Sequence, residues 1–276
     1  MGRRLFLLVV SLTTLCAAAT AAEKDGFKYY TRLTAEVDYG ITRSLGVHAS
    51  EELRLNERFG FARTYTGAGL SYKPLDWLKM SLDYYAIGVQ KKDEIPDELT
   101  GDISYNSYVD WRHRAAFAIT GTYKLGGWRF SLRERWQGTY RMKDVNIYQT
   151  ARFLMALRTR LKISYKFYNV PLEPFVSCDM RMALNGPKWS TEATDAVNFA
   201  SAKYLGGKDV FIDRWRTEAG VEWQILRNHS MQFYFTYDRT TGKEIDSKRK
   251  EAVLKAPITV SHSNHLFFGV SYAFKF

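Results

Sequence analysis

Five histidines are the residues of this chain whose type could support hydrolytic chemistry. A hydrolase would need a histidine beside a serine, with an asparagine or an acidic residue to orient the imidazole. The run His262-Ser263-Asn264-His265 contains these types, but its members are consecutive. Consecutive side chains of a strand point to opposite faces, so they cannot converge on one site. We therefore predict no catalytic residue, no metal site and no cofactor, and a lipid hydrolase stays an alternative.

Charged residues provide the second possible chemistry, because many recur at every second position of otherwise apolar segments. If these segments are strands, the charges share one face and line one interior. The predicted lumen-lining residues are Arg112, Arg114, Arg129, Arg133, Arg135, Arg158, Arg160, Arg214, Arg216, Glu36, Glu52, Glu218 and Glu222. The same face of the predicted strands also carries Arg152, Lys162, Arg181, Asp38, Asp83 and Asp179.

An arginine-rich lumen has two interpretations. It would raise the local concentration of anions, as in a channel for small anionic solutes. Alternatively, arginines and acids from facing strands pair with each other and leave a narrow or plugged pore. The second interpretation is favoured because acidic residues are mixed among the basic ones, and both stay open.

The end of the chain shows the alternation most clearly. Large apolar residues occupy every second position from Leu266 to Phe276, which predicts a strand with one apolar face. This stretch resembles the terminal strand of bacterial outer-membrane β-barrels, which ends on phenylalanine. The resemblance implies that Val270, Tyr272, Phe274 and Phe276 form an insertion signal for the barrel-insertion machinery.

The first residues have the composition of a secretory signal peptide. Arg3 and Arg4 precede an apolar run from Leu5 to Cys16 and then small residues from Ala17 to Ala22. The run is shorter than the about 20 residues that a membrane-spanning helix needs. We predict a signal peptide at residues 1–22 and one exported barrel domain at residues 23–276. In that domain Cys178 is the only cysteine, so no intramolecular disulfide is expected.

Eleven segments, including the C-terminal one, are predicted as strands, and the predicted barrel has ten to twelve. From Pro74 onward their connections alternate short and long, as in outer-membrane barrels, and the long ones include Gln90–Ser107 and Gly186–Asp209. An odd number conflicts with a barrel whose two ends both lie in the periplasm. We therefore expect that Phe27–Tyr39 is two elements or lies partly outside the wall, or that the Glu57–Arg63 connection is misjudged.

Composition decides which face looks outward. The net charge is +11 and the mean hydropathy is −0.33, and no apolar run after the N-terminus could form a spanning helix. This excludes a helical membrane protein. A lipocalin-like barrel would have to enclose more aromatic and leucine side chains than about ten strands can hold. The apolar face is therefore expected to face lipid, and a soluble β-sandwich stays the alternative.

The predicted fold class is thus all-β, a closed antiparallel transmembrane β-barrel in the bacterial outer membrane. Its expected partners are outer-membrane lipid and lipopolysaccharide, through basic loop residues such as Lys248, Arg249 and Lys250. No nucleic acid is expected, and the oligomeric state is left open.

Two acids break the alternation. Glu51 and Glu134 fall on the apolar face, each about six residues into its strand. A carboxylate facing lipid is unfavourable near the membrane midplane. We therefore predict a β-bulge at each position that turns the carboxylate inward.

Several segments together resemble a family of small outer-membrane β-barrels known only as a domain of unknown function. The resemblance rests on the signal peptide, Leu53-Arg54 to Arg58, Leu157 to Lys162, Arg214 to Trp223 and the C-terminal phenylalanine. It implies the fold and the outer-membrane location, and it brings no catalytic or ligand-binding residues.

Overall fold

The structure is a computed structural model that describes residues 28–96, 103–190 and 202–276. The predicted signal peptide at residues 1–22 lies outside the described residues. In the described part of the chain, no helix is long and apolar enough to cross a membrane.

The described residues form eleven strands, which confirms the predicted strand number and the all-β class. The strands are β1 (Lys28–Gly40), β2 (Leu45–Asn56), β3 (Phe61–Leu75), β4 (Leu78–Pro96), β5 (Ile103–Leu125), β6 (Trp128–Arg141), β7 (Phe153–Tyr165), β8 (Leu172–Trp189), β9 (Tyr204–Leu226), β10 (His229–Glu244) and β11 (Thr259–Lys275).

The strands close into one barrel in which neighbours in sequence pair with each other and β1 pairs with β11. Sequential neighbours are antiparallel, whereas β1 and β11 run parallel, from Lys28 opposite His265 to Asp38 opposite Lys275. An odd number of up-and-down strands can close only through one parallel pair. The antiparallel prediction is therefore wrong for this pair. The first segment is one strand within the wall, and residues 57–60 form an ordinary turn.

The two ends of the barrel differ in their connections. At one end, here called the short-turn end, the connections are residues 41–44, 76–77, 126–127, 166–171 and 227–228. At the other, the long-loop end, they are residues 57–60, 97–102, 142–152, 190–203 and 245–258. Two predicted loops are shorter than expected, because β4 and β5 pair as far as Pro96 and Ile103, and β8 and β9 as far as Trp189 and Tyr204.

The faces of the barrel have the opposite polarity to those of a soluble protein. On β1, Leu33 is 42% exposed while its neighbour Arg32 is 5% exposed. Other exposed side chains are large and apolar, among them Tyr29, Val37, Leu70, Leu82, Trp111, Phe117, Leu132, Trp136, Phe233, Phe235 and Phe268. Buried side chains are often charged, among them Asp83, Asp110, Arg135, Asp179, Arg216, Glu218 and Asp238. Soluble proteins rarely bury such residues or expose so much contiguous apolar surface.

The predicted bulges at Glu51 and Glu134 are wrong. The register runs without a shift from Ala35 through Glu51 to Thr66, and without a shift across Glu134. Both acids keep the outward phase, and each carboxylate instead accepts a hydrogen bond from a threonine of the next strand. The donor to Glu51 is Thr64, and the donor to Glu134 is Thr159, at 2.9 Å. A local hydroxyl partner replaces the expected distortion of the backbone.

Loops at the long-loop end pack on one another in a small core. This cap cluster consists of Trp189, Ala202 and Leu254, with Tyr148, Tyr204, Ile245 and Ile258 against it. The Trp189 indole donates to the Tyr148 carbonyl at 3.2 Å, and Asn146 donates to the Ser247 carbonyl at 3.2 Å. The cap cluster therefore brings together the 142–152 connection, the 245–258 connection and the adjacent ends of β8 and β9.

An exposed ion pair joins the same two connections. Arg249 contacts Asp144, and the hydrogen bond from its guanidinium holds the pKa of the Asp144 carboxyl below its usual value. Since both groups are exposed, this contact adds little to the stability of the loops.

Candidate functional site: the barrel interior

Acids in the middle of the interior each contact more than one arginine. Asp238 on β10 lies 2.5 Å from Arg216 and 3.9 Å from Arg214. Asp179 on β8 lies 2.5 Å from Arg158 and 4.0 Å from Arg214. Arg214 therefore links the two acids into one network that covers β7 to β10.

A second set of ion pairs contains one contact that crosses the lumen. Glu52 lies 2.6 Å from Arg54 and 3.6 Å from Arg32. Glu218 lies 2.8 Å from Arg160 and 3.9 Å from Arg32. Because β10 and β11 separate β1 from β9 in the wall, the contact between Arg32 and Glu218 runs through the interior.

An aromatic ring lies where these groups meet. Phe267 is 4% exposed, and the guanidinium groups of Arg32, Arg54 and Arg216 lie 4.9, 5.5 and 5.8 Å from its centroid. Guanidinium groups are attracted to the faces of aromatic rings. Side chains from three strands therefore converge on one ring in the barrel interior.

A third cluster of charged side chains surrounds Asp83 on β4. Its carboxylate lies 2.9 Å from His48 Nε2, 3.6 Å from Arg133 and 3.7 Å from Arg135. Gly69 lies between His48 and Asp83 in the register of β2, β3 and β4. A Cβ at Gly69 would lie 2.6 Å from Asp83 Oδ1 and 2.7 Å from His48 Nε2, so the pair requires glycine there.

Among the described residues, voids lie beside the ion pairs, and two of them adjoin Arg133 and Arg160. The larger has a volume of about 330 Å³ and is lined by polar residues that include Glu36, Lys79, Asp83 and Lys162. The smaller has a volume of about 20 Å³ and lies among Arg133, Arg135, Arg158, Arg160 and Asp179. A void of that size holds about one water molecule.

The predicted residues near the long-loop end lie at the edge of this network. Arg112 contacts Asp110 at 2.7 Å. Arg114 donates from Nε to the Thr139 hydroxyl at 2.9 Å, and its guanidinium lies 5.8 Å from the centroid of the Tyr65 ring.

Near the short-turn end, the remaining predicted residues have local partners. Arg129, whose side chain is 43% exposed, contacts Glu173 at 3.0 Å. Glu222 accepts from Gln232 Nε2 at 2.9 Å. Glu36 lines the larger void.

The predicted set lacks three residues that the structure brings to the centre. Arg32 and Asp238 share the phase of their predicted neighbours, so the alternation itself could have included them. Phe267 also lies in the inward phase of its strand, but it carries no charge and so fell outside a set that was chosen by charge.

The C-terminal residues lie at the short-turn end. Tyr272 is 36% exposed and Phe276 is 68% exposed, and the rings of Phe274 and Phe276 are 4.3 Å apart. The Tyr272 hydroxyl lies 2.6 Å from His229 Nδ1. Their role as an insertion signal stays a prediction.

The other histidines have partners that do not resemble a hydrolytic site. His113 Nδ1 lies 2.5 Å from the Tyr84 hydroxyl on the outer face, and His262 Nδ1 lies 3.2 Å from the Thr241 hydroxyl. His265 Nε2 is buried without a hydrogen-bond partner among the described residues. Within residues 28–96, 103–190 and 202–276, no three metal-ligating side chains come together.

Comparisons with known proteins give distant likenesses to outer-membrane barrels. The chain is similar to outer-membrane expressed OmpT of Vibrio cholerae, with a TM-score of 0.38 and 13% identity over 81% of this chain and 59% of that one. The in-vitro folded form of OmpT gives a TM-score of 0.35 and 12% identity over 82% and 60% of the two chains. The siderophore receptor PirA from Acinetobacter baumannii gives 0.31 and 9%, over 84% and 47%.

The chain therefore spans about three fifths of the length of OmpT. No protein-family model matches it, and no curated protein does. The resemblance to a domain-of-unknown-function family thus stays a prediction. At these TM-scores the barrel rests on the strand pairing of the chain itself.

Proposed function

We propose that the chain is an outer-membrane β-barrel of a Gram-negative bacterium whose lumen is plugged by its own ion pairs. The observation that carries the proposal is the inverted polarity of the wall, with exposed leucine and aromatic side chains outside and paired charges inside. Only a hydrocarbon solvent makes such an exterior favourable, and a closed barrel leaves no unpaired strand edge there.

The different lengths of the connections at the two ends of the barrel support one orientation in the membrane. Outer-membrane barrels have short periplasmic turns and longer extracellular loops, so the short-turn end would face the periplasm. The long-loop end would then face outward, where the basic stretch Lys248, Arg249 and Lys250 would meet lipopolysaccharide phosphates in exchange for the exposed ion pairs of Lys248 with Glu251 and of Arg249 with Asp144. A phenylalanine terminus at the periplasmic end fits the expected contact with the barrel-insertion machinery.

The plugged lumen is supported by contacts across the barrel. Arg32 reaches from β1 to Glu218 on β9, and the Phe267 ring lies against the Arg32 guanidinium. An anion channel would need this centre to open and the ion pairs to separate. Such a change would leave buried charges without partners, which costs several kcal/mol for each broken pair.

A catalytic role has less support. Among the histidines, His48 has Nε2 beside Asp83, while its Nδ1 is buried and has no hydrogen-bond partner in the described chain. Neither nitrogen of His48 is therefore placed to activate a serine. We accordingly include no enzymatic activity in the proposal.

Tryptophan fluorescence tests the membrane part of the proposal. Trp111, Trp136 and Trp215 are 46%, 44% and 47% exposed on the outer wall. In reconstituted vesicles we expect strong quenching by lipids brominated on the acyl chains and weak quenching by aqueous iodide. Quenching of Trp136 by iodide alone, measured with the other tryptophans replaced by phenylalanine, would mean that the wall faces water.

A further inference from the structure

The larger void opens toward the short-turn end. Among its lining residues, Lys79 is the second residue of β4, Ser131 the fourth of β6, and Lys162 lies three residues before the end of β7. Lys79 and Lys162 are half-buried, so both are reached by solvent from that end. The cavity of about 330 Å³ is large enough for a molecule the size of a monosaccharide.

The lining of this cavity has an excess of cations. Four basic side chains line it, and two acids, Glu36 and Asp83, oppose them, so the formal charge is +2 with histidine neutral. Asp83 is already engaged by His48 and Arg133. Glu36 is therefore the one lining acid left to balance the remaining basic side chains.

Two of the cations are available to a ligand. Within the described residues, neither Lys79 nor Lys162 has a carboxylate within 4.0 Å of its ammonium group, although Lys162 lies 4.1 Å from the centroid of the Phe175 ring. Arg133 Nε is buried and has no hydrogen-bond partner among the described residues. That atom has no surface open to the cavity, and Arg133 and Arg160 already contact Asp83 and Glu218, so the two lysines are the lining cations left for a ligand.

Hydroxyl groups complete the lining. Ser50, Thr120 and Ser131 contribute their side chains to the wall, from β2, β5 and β6. Hydroxyls both donate and accept hydrogen bonds, so they suit the hydroxyl groups of a polyol. The lysines and Arg133 suit a phosphate or carboxylate.

The cavity is closed toward the middle of the barrel. The void that adjoins it there, among Arg133, Arg135, Arg158, Arg160 and Asp179, has a volume of about 20 Å³, which is too small for such a ligand to pass. A ligand would thus enter and leave through the same mouth.

We propose that this cavity is a dead-end binding site for a small polyol that carries a phosphate or a carboxylate, with Lys79 and Lys162 as its main charged contacts. The site uses the short-turn mouth only, so it needs no passage through the lumen. It is therefore distinct from the anion channel considered above.

Isothermal titration calorimetry on the folded full chain in a zwitterionic detergent tests the site. The probes are glucose 6-phosphate and gluconate, which separate phosphate from carboxylate, and glucose as the uncharged control. We expect at least one anion to bind and glucose to give no measurable heat. The double substitution Lys79→Gln/Lys162→Gln should weaken binding about tenfold or more, because it removes both unpaired cations.

Two further variants make the result decisive. Lys248→Gln/Lys250→Gln changes the charge equally in the 245–258 connection at the other end, and it should leave the affinity unchanged. Ser131→Phe fills the cavity without altering its charge, and it should abolish binding even if the lysine variant does not fold. Absence of heat from both anions would overturn the proposal, as would equal weakening in the control variant or full binding by Ser131→Phe.

Discussion

His48 and Asp83 contact each other at 2.9 Å although β3 lies between their strands. The contact is possible because Gly69, the residue of β3 between them, has no side chain. The same device recurs at Gly269, where a Cβ would lie 2.2 Å from the Tyr234 ring. Glycines in the inward phase thus let long side chains of neighbouring strands fill the interior.

Substitution of Gly69 should separate this pair. We expect Gly69→Ala to lower the free energy of unfolding by about 1–3 kcal/mol, because the new methyl group displaces His48 or Asp83 from a packed interior. Urea titration of the detergent-folded protein measures the change. Gly121→Ala is the matched control, since a Cβ at Gly121 meets nothing within 4 Å. Equal stability of the two variants would show that the contact is not needed.

Removal of one central acid should cost more than removal of a loop acid. Asp238→Asn leaves Arg216 and Arg214 without their shared carboxylate, and we expect a loss of about 3–5 kcal/mol in the same titration. Asp246→Asn removes a carboxylate whose contact with Lys255 is exposed, and it should change stability by less than about 1 kcal/mol. A loss at Asp238 as small as that at Asp246 would mean that the network does not hold the barrel together.

The acidic residues on the outer wall should lower the stability of the barrel in lipid. Glu134 faces outward with Thr159 as its partner, so Glu134→Leu removes a polar group from the apolar band. We expect the free energy of unfolding from vesicles to rise by roughly 1 kcal/mol. Glu57→Leu, in an exposed turn, serves as the control and should have no such effect. Destabilisation by Glu134→Leu would instead indicate that this face contacts another polar partner.

The cap cluster should protect the basic loop from proteases. Trp189 is 3% exposed, donates a hydrogen bond to the Tyr148 carbonyl and packs with Leu254. Trp189→Ala should therefore loosen residues 245–258. Trypsin cleavage after Lys248, Arg249 or Lys250 should then become several-fold faster. Trp77→Ala, at a 56% exposed position of the short-turn end, should leave the cleavage rate unchanged. An unchanged rate in both variants would contradict a packed cap.

Most of the fold was predictable because apolar and polar residues alternate along every strand with a period of two residues. Arg158 and Arg160 illustrate this, since their phase alone predicted that they share a face, and the structure brings each to an acid. The parallel closure of β1 on β11 follows from an odd strand number, but the prediction treated that number as an error in the first segments, because alternation assigns faces and carries no information on strand direction.

The details of the interior depended on long-range geometry. The contact of Arg32 with Glu218 joins residues far apart in sequence, and only the curvature of the wall brings them together. The outward positions of Glu51 and Glu134 were mispredicted because the threonine partner of each lies on the next strand, where the register decides which residues meet.

Single-channel recording in a planar bilayer tests the plugged lumen most directly. The native chain should insert without resolvable conductance steps, because ion pairs and Phe267 fill the middle of the barrel. Arg32→Ala/Phe267→Ala removes two of the side chains that cross the lumen and should produce small steps. Stable, anion-selective steps from the native chain, at the same size as in the double variant, would contradict the account.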